Sequence, residues 1–251
     1  MRLLIRLQQV NQAYIPFNRK YGLMTWIYSC LREIDSNYAS ELHSSKKIKY
    51  FVFSDLFIPY PYRVDRARGI KKMNERDPYL FFSSPDEMLL EKLLGGIIAS
   101  PDTSHFRLGP AEFTVKTVRM IKQPRMREEE VMLPLSPVVT TTWREKKIWY
   151  LNPSEGKFLV NIKQNLEKKV AKVTYQSDIP PFTLELAPGY QREGKVSYSL
   201  EFKATRITAF KIPFRLKGPA EVIQVAYDCG LGERNSQGFG MIDLYREKDG
   251  V

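Results

Sequence analysis

The chain is short of the residues on which much protein chemistry depends. Its 251 residues include two cysteines, Cys30 and Cys229, and two histidines, His43 and His105. Each cysteine lies in an apolar helical pattern, far from the other. They read as buried thiols of a reducing compartment rather than a disulfide framework. The histidines are equally scattered, so the close ligand spacing of a structural zinc site is missing. No carboxylate cluster takes its place. No run of 18 apolar residues occurs, which argues against a membrane-spanning helix. Met1 to Val10 carries Arg2 and Arg6 among its apolar residues and is too short and polar for a secretory leader. There is no Gly-Lys-Ser/Thr phosphate loop and no low-complexity tract. The expectation is a soluble, cytoplasmic protein with no metal, no cofactor and no membrane partner.

Anionic residues are also scarce. Lys and Arg number 39 against 28 Asp and Glu, a net charge of +11 and a pI near 9.5. That balance favours a polyanionic partner, nucleic acid before membrane. Apolar residues make up 43% of the chain, enough for an ordinary core. The length fits one large domain or two of about 125 residues.

The periodicities favour two. Met1 to Gln9 reads as a strand, and Asn18 to Asp35 as a helix with Leu23, Ile27, Cys30 and Ile34 on one face. A short helix at Asn37 to Leu42 leads to a strand at Lys46 to Phe57. A polar, basic excursion runs from Pro59 to Pro78. A strand at Tyr79 to Ser83, a helix at Pro85 to Ala99 and a strand at Phe106 to Ile121 complete a β-α-β-β-α-β unit. After a charged joint at Lys122 to Glu130 the pattern restarts. A strand spans Val131 to Thr142, a hairpin Trp143 to Leu151, and a helix Glu155 to Tyr175 with Phe158, Ile162, Leu166 and Val170 four residues apart. Strands at Val196 to Ile207 and Ala209 to Leu216, a helix at Pro219 to Cys229 and a strand at Met241 to Arg246 follow. The predicted fold is α+β: two tandem ferredoxin-like domains, residues 1–123 and 124–251. Such a sheet is also the skeleton of a major RNA-binding module.

The most concentrated feature is Gly230-Leu231-Gly232-Glu233-Arg234-Asn235-Ser236-Gln237-Gly238-Phe239-Gly240, which holds four of the fourteen glycines. Read alone, it is either a flexible turn or a concave anion site of successive N–H groups. A dinucleotide fingerprint runs strand, glycine loop, helix. Here a helix precedes the loop and a strand follows, so a nucleotide cofactor is not expected. Followed by Met241-Ile242, the stretch resembles the terminal glycine-rich motif of the CRISPR repeat-RNA processing endoribonucleases, members of the repeat-associated mysterious protein superfamily. The architecture resembles theirs over the whole chain, most strongly at Met1 to Leu7, Trp26 to Phe57 and Asp228 to Ile242.

The resemblance implies a chemistry. Archaeal members have a tyrosine in the first helix, a histidine after it and a lysine six residues further on. The matching residues are Tyr28, His43 and Lys49. Read without the family, His43 is a loop histidine, either merely solvated or placed to transfer a proton. Tyr28 lies about 100° from the apolar stripe and is otherwise a core-edge aromatic. Lys46 and Lys47 also follow His43, and the choice of Lys49 as the catalytic cation rests on the family spacing. Cleavage would use the RNA's own 2′-OH, with metal-independent acid–base catalysis, leaving 2′,3′-cyclic phosphate and 5′-OH ends. Expected RNA-binding residues are Gly230, Gly232, Arg234, Asn235, Ser236, Gly238 and Gly240 in the loop, with Lys46 and Lys47. Expected partners are CRISPR repeat RNA and an interference complex, with the protein a monomer or homodimer. Two alternatives are a repeat-RNA-binding paralogue that does not cut and a structural subunit of such a complex.

Other basic stretches are less specific. Pro59 to Pro78 carries six cations against three anions, net +3. Arg144, Lys146 and Lys147 follow Trp143 in the same manner. Each is either a solvated surface or a set of phosphate contacts. His105 opens a strand and reads as structural or solvated.

Overall fold

The structure, a computed structural model, describes residues 1–44, 48–187, 197–203 and 205–246. The chain forms two compact units. The first comprises Met1–Lys49 and Asp55–Lys122, the second Tyr50–Ser54 and Gln123–Val251.

In the first unit, alternation over β1 (Arg2–Gln9) turns Leu3, Ile5 and Leu7 to the core. β1 is the central strand. It pairs antiparallel with β5 (Tyr79–Ser83) on one side and β7 (Ala111–Ile121) on the other, with a register shift at Arg6/Leu7. Helix α1 (Lys20–Ile34) buries Leu23, Ile27, Cys30 and Leu31, while Ile34, expected on that face, is exposed. Helix α2 (Ser36–Ser44) follows directly. Helix α3 (Glu87–Ala99) starts at Asp86, whose carboxylate accepts the Leu89 N–H at 3.2 Å, a side-chain N-cap. Helices α1 and α3 meet backbone to backbone. A Cβ on Gly96 would lie 1.9 Å from the Cys30 carbonyl oxygen, so only glycine fits.

Two readings of this half are corrected. Of the strand expected over Lys46 to Phe57, Lys46 and Lys47 lie outside the described residues; among the described ones only β2 (Val52–Phe53) forms, and its segment groups with the second unit. Residues 106–121 are not one strand. Gly109, at φ +57°, turns the chain between β6 (His105–Leu108) and β7. The basic excursion is a hairpin of β3 (Tyr62–Asp65) and β4 (Gly69–Lys72). A short helical turn, α4 (Pro101–Ser104), precedes β6.

In the second unit β8 (Glu129–Pro134) is central, between β14 (Phe214–Lys217) and β15 (Ile242–Leu244), and β11 (Thr183–Leu186) pairs with β14. The order β11-β14-β8-β15 is that of a ferredoxin-like sheet. Helix α5 (Lys157–Thr174) buries Phe158, Ile162, Leu166 and Val170 completely, each contributing about 1.5–3 kcal/mol of apolar burial. Helix α6 (Ala220–Cys229) adds Val222, Ile223 and Ala226. Both cysteines are buried and unbridged. The chain thus consists of two tandem ferredoxin-like units.

The strand over Val131 to Thr142 divides, because Pro134 and Pro137 cannot donate to a ladder. Its second part becomes β9 (Thr141–Arg144), paired with β10 (Lys147–Tyr150). The strands at Val196 to Ile207 and Ala209 to Leu216 were expected to lie in the sheet. The end of the second does so, as β14, but β12 (Ser197–Phe202) and β13 (Thr205–Phe210) pair with each other as a separate ribbon, while Val196 and Ala204 lie outside the described residues. The sheet strand is β11, a four-residue segment after Pro180-Pro181 too short to register as a period.

Candidate functional site

Three of the predicted residues come together in the first unit. Tyr28 projects from the buried side of α1 and is 4% exposed. The turn from α1 to α2 is held by Asp35, which accepts the Tyr38 N–H at 2.9 Å and the Lys92 ammonium at 2.8 Å. The Lys92 hydrogen bond is the main reason that the Asp35 carboxyl sits below its usual range. That turn folds α2 back so that its last turn carries His43, exposed, beside Tyr28. The two rings meet edge to face, with centroids 5.2 Å apart at 84°. Lys49 closes the group. Its Nζ donates to the His43 carbonyl oxygen at 3.1 Å and lies 5.8 Å from the Tyr28 ring centroid.

Electrostatics differentiate the three. Burial pushes the Tyr28 phenol up to about 12. At neutral pH it stays protonated and so able to donate a hydrogen bond. Burial also lowers the Lys49 ammonium from its ordinary value. His43 lies at the surface end of the group, where an imidazole can meet a solvent-borne ligand. Tyr28 is both a core aromatic and a neighbour of His43. Tyr38, on the same α2, has its hydroxyl raised chiefly by burial, and it donates to Asp86 at 3.4 Å. Lys46 and Lys47 lie outside the described residues. His105 holds a local structural position, with Nδ1 3.0 Å from the Pro101 carbonyl.

The glycine-rich loop sits in the second unit and is organised inward. Gly230, Gly232, Asn235, Gly238 and Gly240 are buried, while Arg234 and Ser236 are half-buried. The N–H groups of Leu231, Glu233, Gly238 and Gly240 donate to Gly240, Val139, Asn235 and Pro137 carbonyls at 2.8–2.9 Å. They are thus committed to the loop's own structure rather than to an open anion cradle. Gly240 has φ +75°, and a Cβ there would lie 1.9 Å from the Leu231 carbonyl oxygen. At Gly238 (φ +82°) a Cβ would strike the Phe53 ring at 2.4 Å.

The loop's anchor was not foreseen. Lys169 of α5 is fully buried, and its Nζ donates to Gly230 O at 2.8 Å, Gly232 O at 3.0 Å and Asn235 Oδ1 at 2.7 Å. Asn235 in turn donates from Nδ2 to Leu231 O and Phe239 O at 3.1 and 3.0 Å. Burial brings the Lys169 ammonium down to about 8. A signal existed: Lys169 lies three residues after Leu166 and seven after Ile162, on the apolar stripe itself. At the loop's outer side Glu233 accepts the Thr141 N–H and hydroxyl at 2.9 and 2.8 Å. The Arg234 guanidinium lies 6.0 Å from the Tyr150 ring centroid.

Among the described residues no group of three His, Cys, Asp or Glu could hold a metal ion, and no helix is long and apolar enough to cross a membrane.

Two family models match the chain. The one described as CRISPR-associated protein Cas6, N-terminal, covers residues 14–119, and the one for its C-terminal part covers residues 121–244. The chain is 29% identical to the CRISPR-associated endoribonuclease Cas6 1 of Methanocaldococcus jannaschii, over 99% of this chain and 94% of that protein. It is 28% identical to the CRISPR-associated endoribonuclease Cas6 of Pyrococcus furiosus, over 99% and 91%. Among solved structures, the product of a Cas6-related gene from Pyrococcus furiosus matches with a TM-score of 0.86 and 25% identity, covering 99% of each chain.

Proposed function

Because the chain belongs to the CRISPR-associated Cas6 family, whose named relatives are endoribonucleases, we propose that it cleaves CRISPR repeat RNA in the precursor transcript by metal-independent acid–base catalysis. The observation that carries this reading is the meeting of Tyr28, His43 and Lys49, three residues from separate parts of the chain, at the exposed end of α2. In the reaction the 2′-OH next to the scissile phosphate attacks phosphorus, and the bond from phosphorus to the 5′-oxygen breaks. The proton leaves the 2′-oxygen and one is delivered to the 5′-oxygen, giving 2′,3′-cyclic phosphate and 5′-OH ends. The His43 imidazole transfers a proton, Tyr28 donates a hydrogen bond to the phosphate, and Lys49 stabilises the charge gathering there.

RNA binding is assigned to the predicted set in two roles. Arg234 and Ser236 supply polar and cationic groups, and Lys46 and Lys47 are proposed as further cations. Gly230, Gly232, Asn235, Gly238 and Gly240 give the loop the shape on which Arg234 and Ser236 stand. An interference complex is the further partner proposed for the product.

The test uses labelled repeat RNA in EDTA, beside the same RNA with a 2′-deoxy nucleotide before the scissile phosphate. Cleavage of the first alone is expected, with the rate reduced by about 10²- to 10⁴-fold in His43→Ala. A requirement for metal, or full activity in His43→Ala, would refute the mechanism. Tight binding with no cleavage would instead make this chain a non-catalytic repeat binder.

A further inference from the structure

The hairpin of β9 and β10 leaves two indoles in solvent. Trp143 is 74% exposed and Trp149 50%, whereas the third tryptophan, Trp26, is 4% exposed. Each presents a flat aromatic face to water. The ladder register pairs Ile148 with Trp143, Trp149 with Thr142 and Tyr150 with Thr141. Side chains alternate across a strand, so Trp143 and Tyr150 share one face and Trp149 and Arg144 the other.

The Trp149 indole is held in place. The Arg144 guanidinium lies 5.2 Å from the Trp149 ring centroid and is ion-paired with Glu155, which also accepts from Trp149. Asn161 of α5 donates to the Thr141 carbonyl at 2.9 Å. At the base of the hairpin, Glu233 and Arg234 of the glycine-rich loop grip Thr141 and Tyr150. The tip adds charge: Arg144, Lys146 and Lys147 against Glu145 give three cations to one anion. Exposed indole faces, that of Trp149 held in place, interleaved with cations match a ligand that is both polyanionic and able to offer flat faces. A duplex hides its base faces within its own stack, whereas a single strand leaves them open. The two indoles lie on opposite faces of a thin ribbon, and the Trp143 face also carries the exposed Ile148.

We propose that the β9–β10 hairpin is a stacking platform for an unpaired segment of the substrate RNA, with Trp143 and Trp149 receiving bases and Lys146 and Lys147 the adjoining phosphates. This rests on the reading that the protein binds repeat RNA, and it extends that reading to a surface far in sequence from His43.

The experiment titrates the full chain with uncleavable 2′-deoxy-substituted repeat RNA and with a ten-nucleotide unstructured RNA. Labelled-RNA polarisation and intrinsic tryptophan fluorescence are both followed. Stacking on two of the three tryptophans predicts strong quenching at saturation. Each Trp→Ala change should weaken binding about 5- to 150-fold, the usual range for one base–aromatic stack. Trp143→Phe and Trp149→Phe, which keep a ring, should retain most of the affinity. Lys146→Gln with Lys147→Gln should flatten the log–log salt slope by about 1.4, near 0.7 per phosphate contact on a single strand. Unchanged affinity and quenching in Trp143→Ala/Trp149→Ala, in a protein that still cleaves repeat RNA, would overturn the platform and leave the proposed function standing. Failure of the unmodified protein to bind or cleave repeat RNA would overturn the function itself.

Discussion

Replacing Lys169 with methionine tests how the glycine-rich loop is held. The substitution keeps most of the side chain's volume and removes its donors. Gly230 O, Gly232 O and Asn235 Oδ1 then lose the donor at 2.7–3.0 Å. A buried acceptor left unmade costs about 1–3 kcal/mol, so three cost roughly 6. Against this stands the relief of no longer burying a charge. A lysine near 10.5 in the unfolded chain and about 8 in the fold carries a penalty of about 3 kcal/mol, at 1.36 kcal/mol per unit. The net expectation at pH 7 is a loss of about 3 kcal/mol of second-unit stability. The sign with pH follows from proton counts. Below pH 8 both states bind the Lys169 proton and the penalty is fully present. As pH rises from 8 toward 10.5 the unfolded chain binds the proton longer than the fold does, so wild-type stability gains. Cys30 and Cys229, pushed up to about 12 by burial, act the other way above pH 9, but in both proteins. The difference between wild type and Lys169→Met should therefore widen between pH 8 and 10. Urea unfolding by circular dichroism at several pH values measures it, and exchange of the Leu231 and Gly240 amides reports the loop directly. A variant as stable as wild type at pH 7, or a difference that shrinks with pH, would refute the account.

Tyr28→Phe should slow single-turnover cleavage about 10- to 150-fold with little change in RNA affinity, the loss of one hydrogen bond to a charged group. Because the phenol stays protonated to about 12, the wild-type rate should show no alkaline limb from Tyr28 below pH 10. Gly240→Ala should disrupt the second unit, since its Cβ has nowhere to go, whereas Gly156→Ala, with nothing within 4 Å and a helical φ of −54°, should stabilise by about 0.4–1 kcal/mol; paired thermal melts decide both. Asp86→Ala should cost about 1 kcal/mol by loss of the α3 cap, read from the same melts.

Much of the fold was visible in the order of residues where a single period ran long enough to be unambiguous. The fourfold spacing from Phe158 to Val170 marked α5, and the alternation of Leu3, Ile5 and Leu7 marked β1. Short elements failed for the opposite reason. β11 offers only Leu184 and Leu186 after two prolines, while β12 and β13 are longer yet pair with each other outside the sheet. The site divides similarly. Tyr28, His43 and Lys49 were legible only by resemblance, because their meeting depends on the turn at Asp35, which no spacing reveals. The glycine motif was legible as a loop, but not the direction of its polar groups, since that depends on a lysine sixty residues earlier. A lysine in a helix reads as solvated until its place on the apolar stripe is weighed.

The hydrogen bond from Lys49 ends on the main chain of His43, not on its imidazole. Chain and hydrogen bond together make a closed ring, a small lariat whose circumference is measured in residues. What such a ring constrains is contour length. An insertion or deletion between its two ends is expected to change the fit of Lys49 Nζ to the His43 carbonyl. For any chain built this way, the interval from histidine to lysine is therefore a dimension of the candidate site, as much as a bond angle would be.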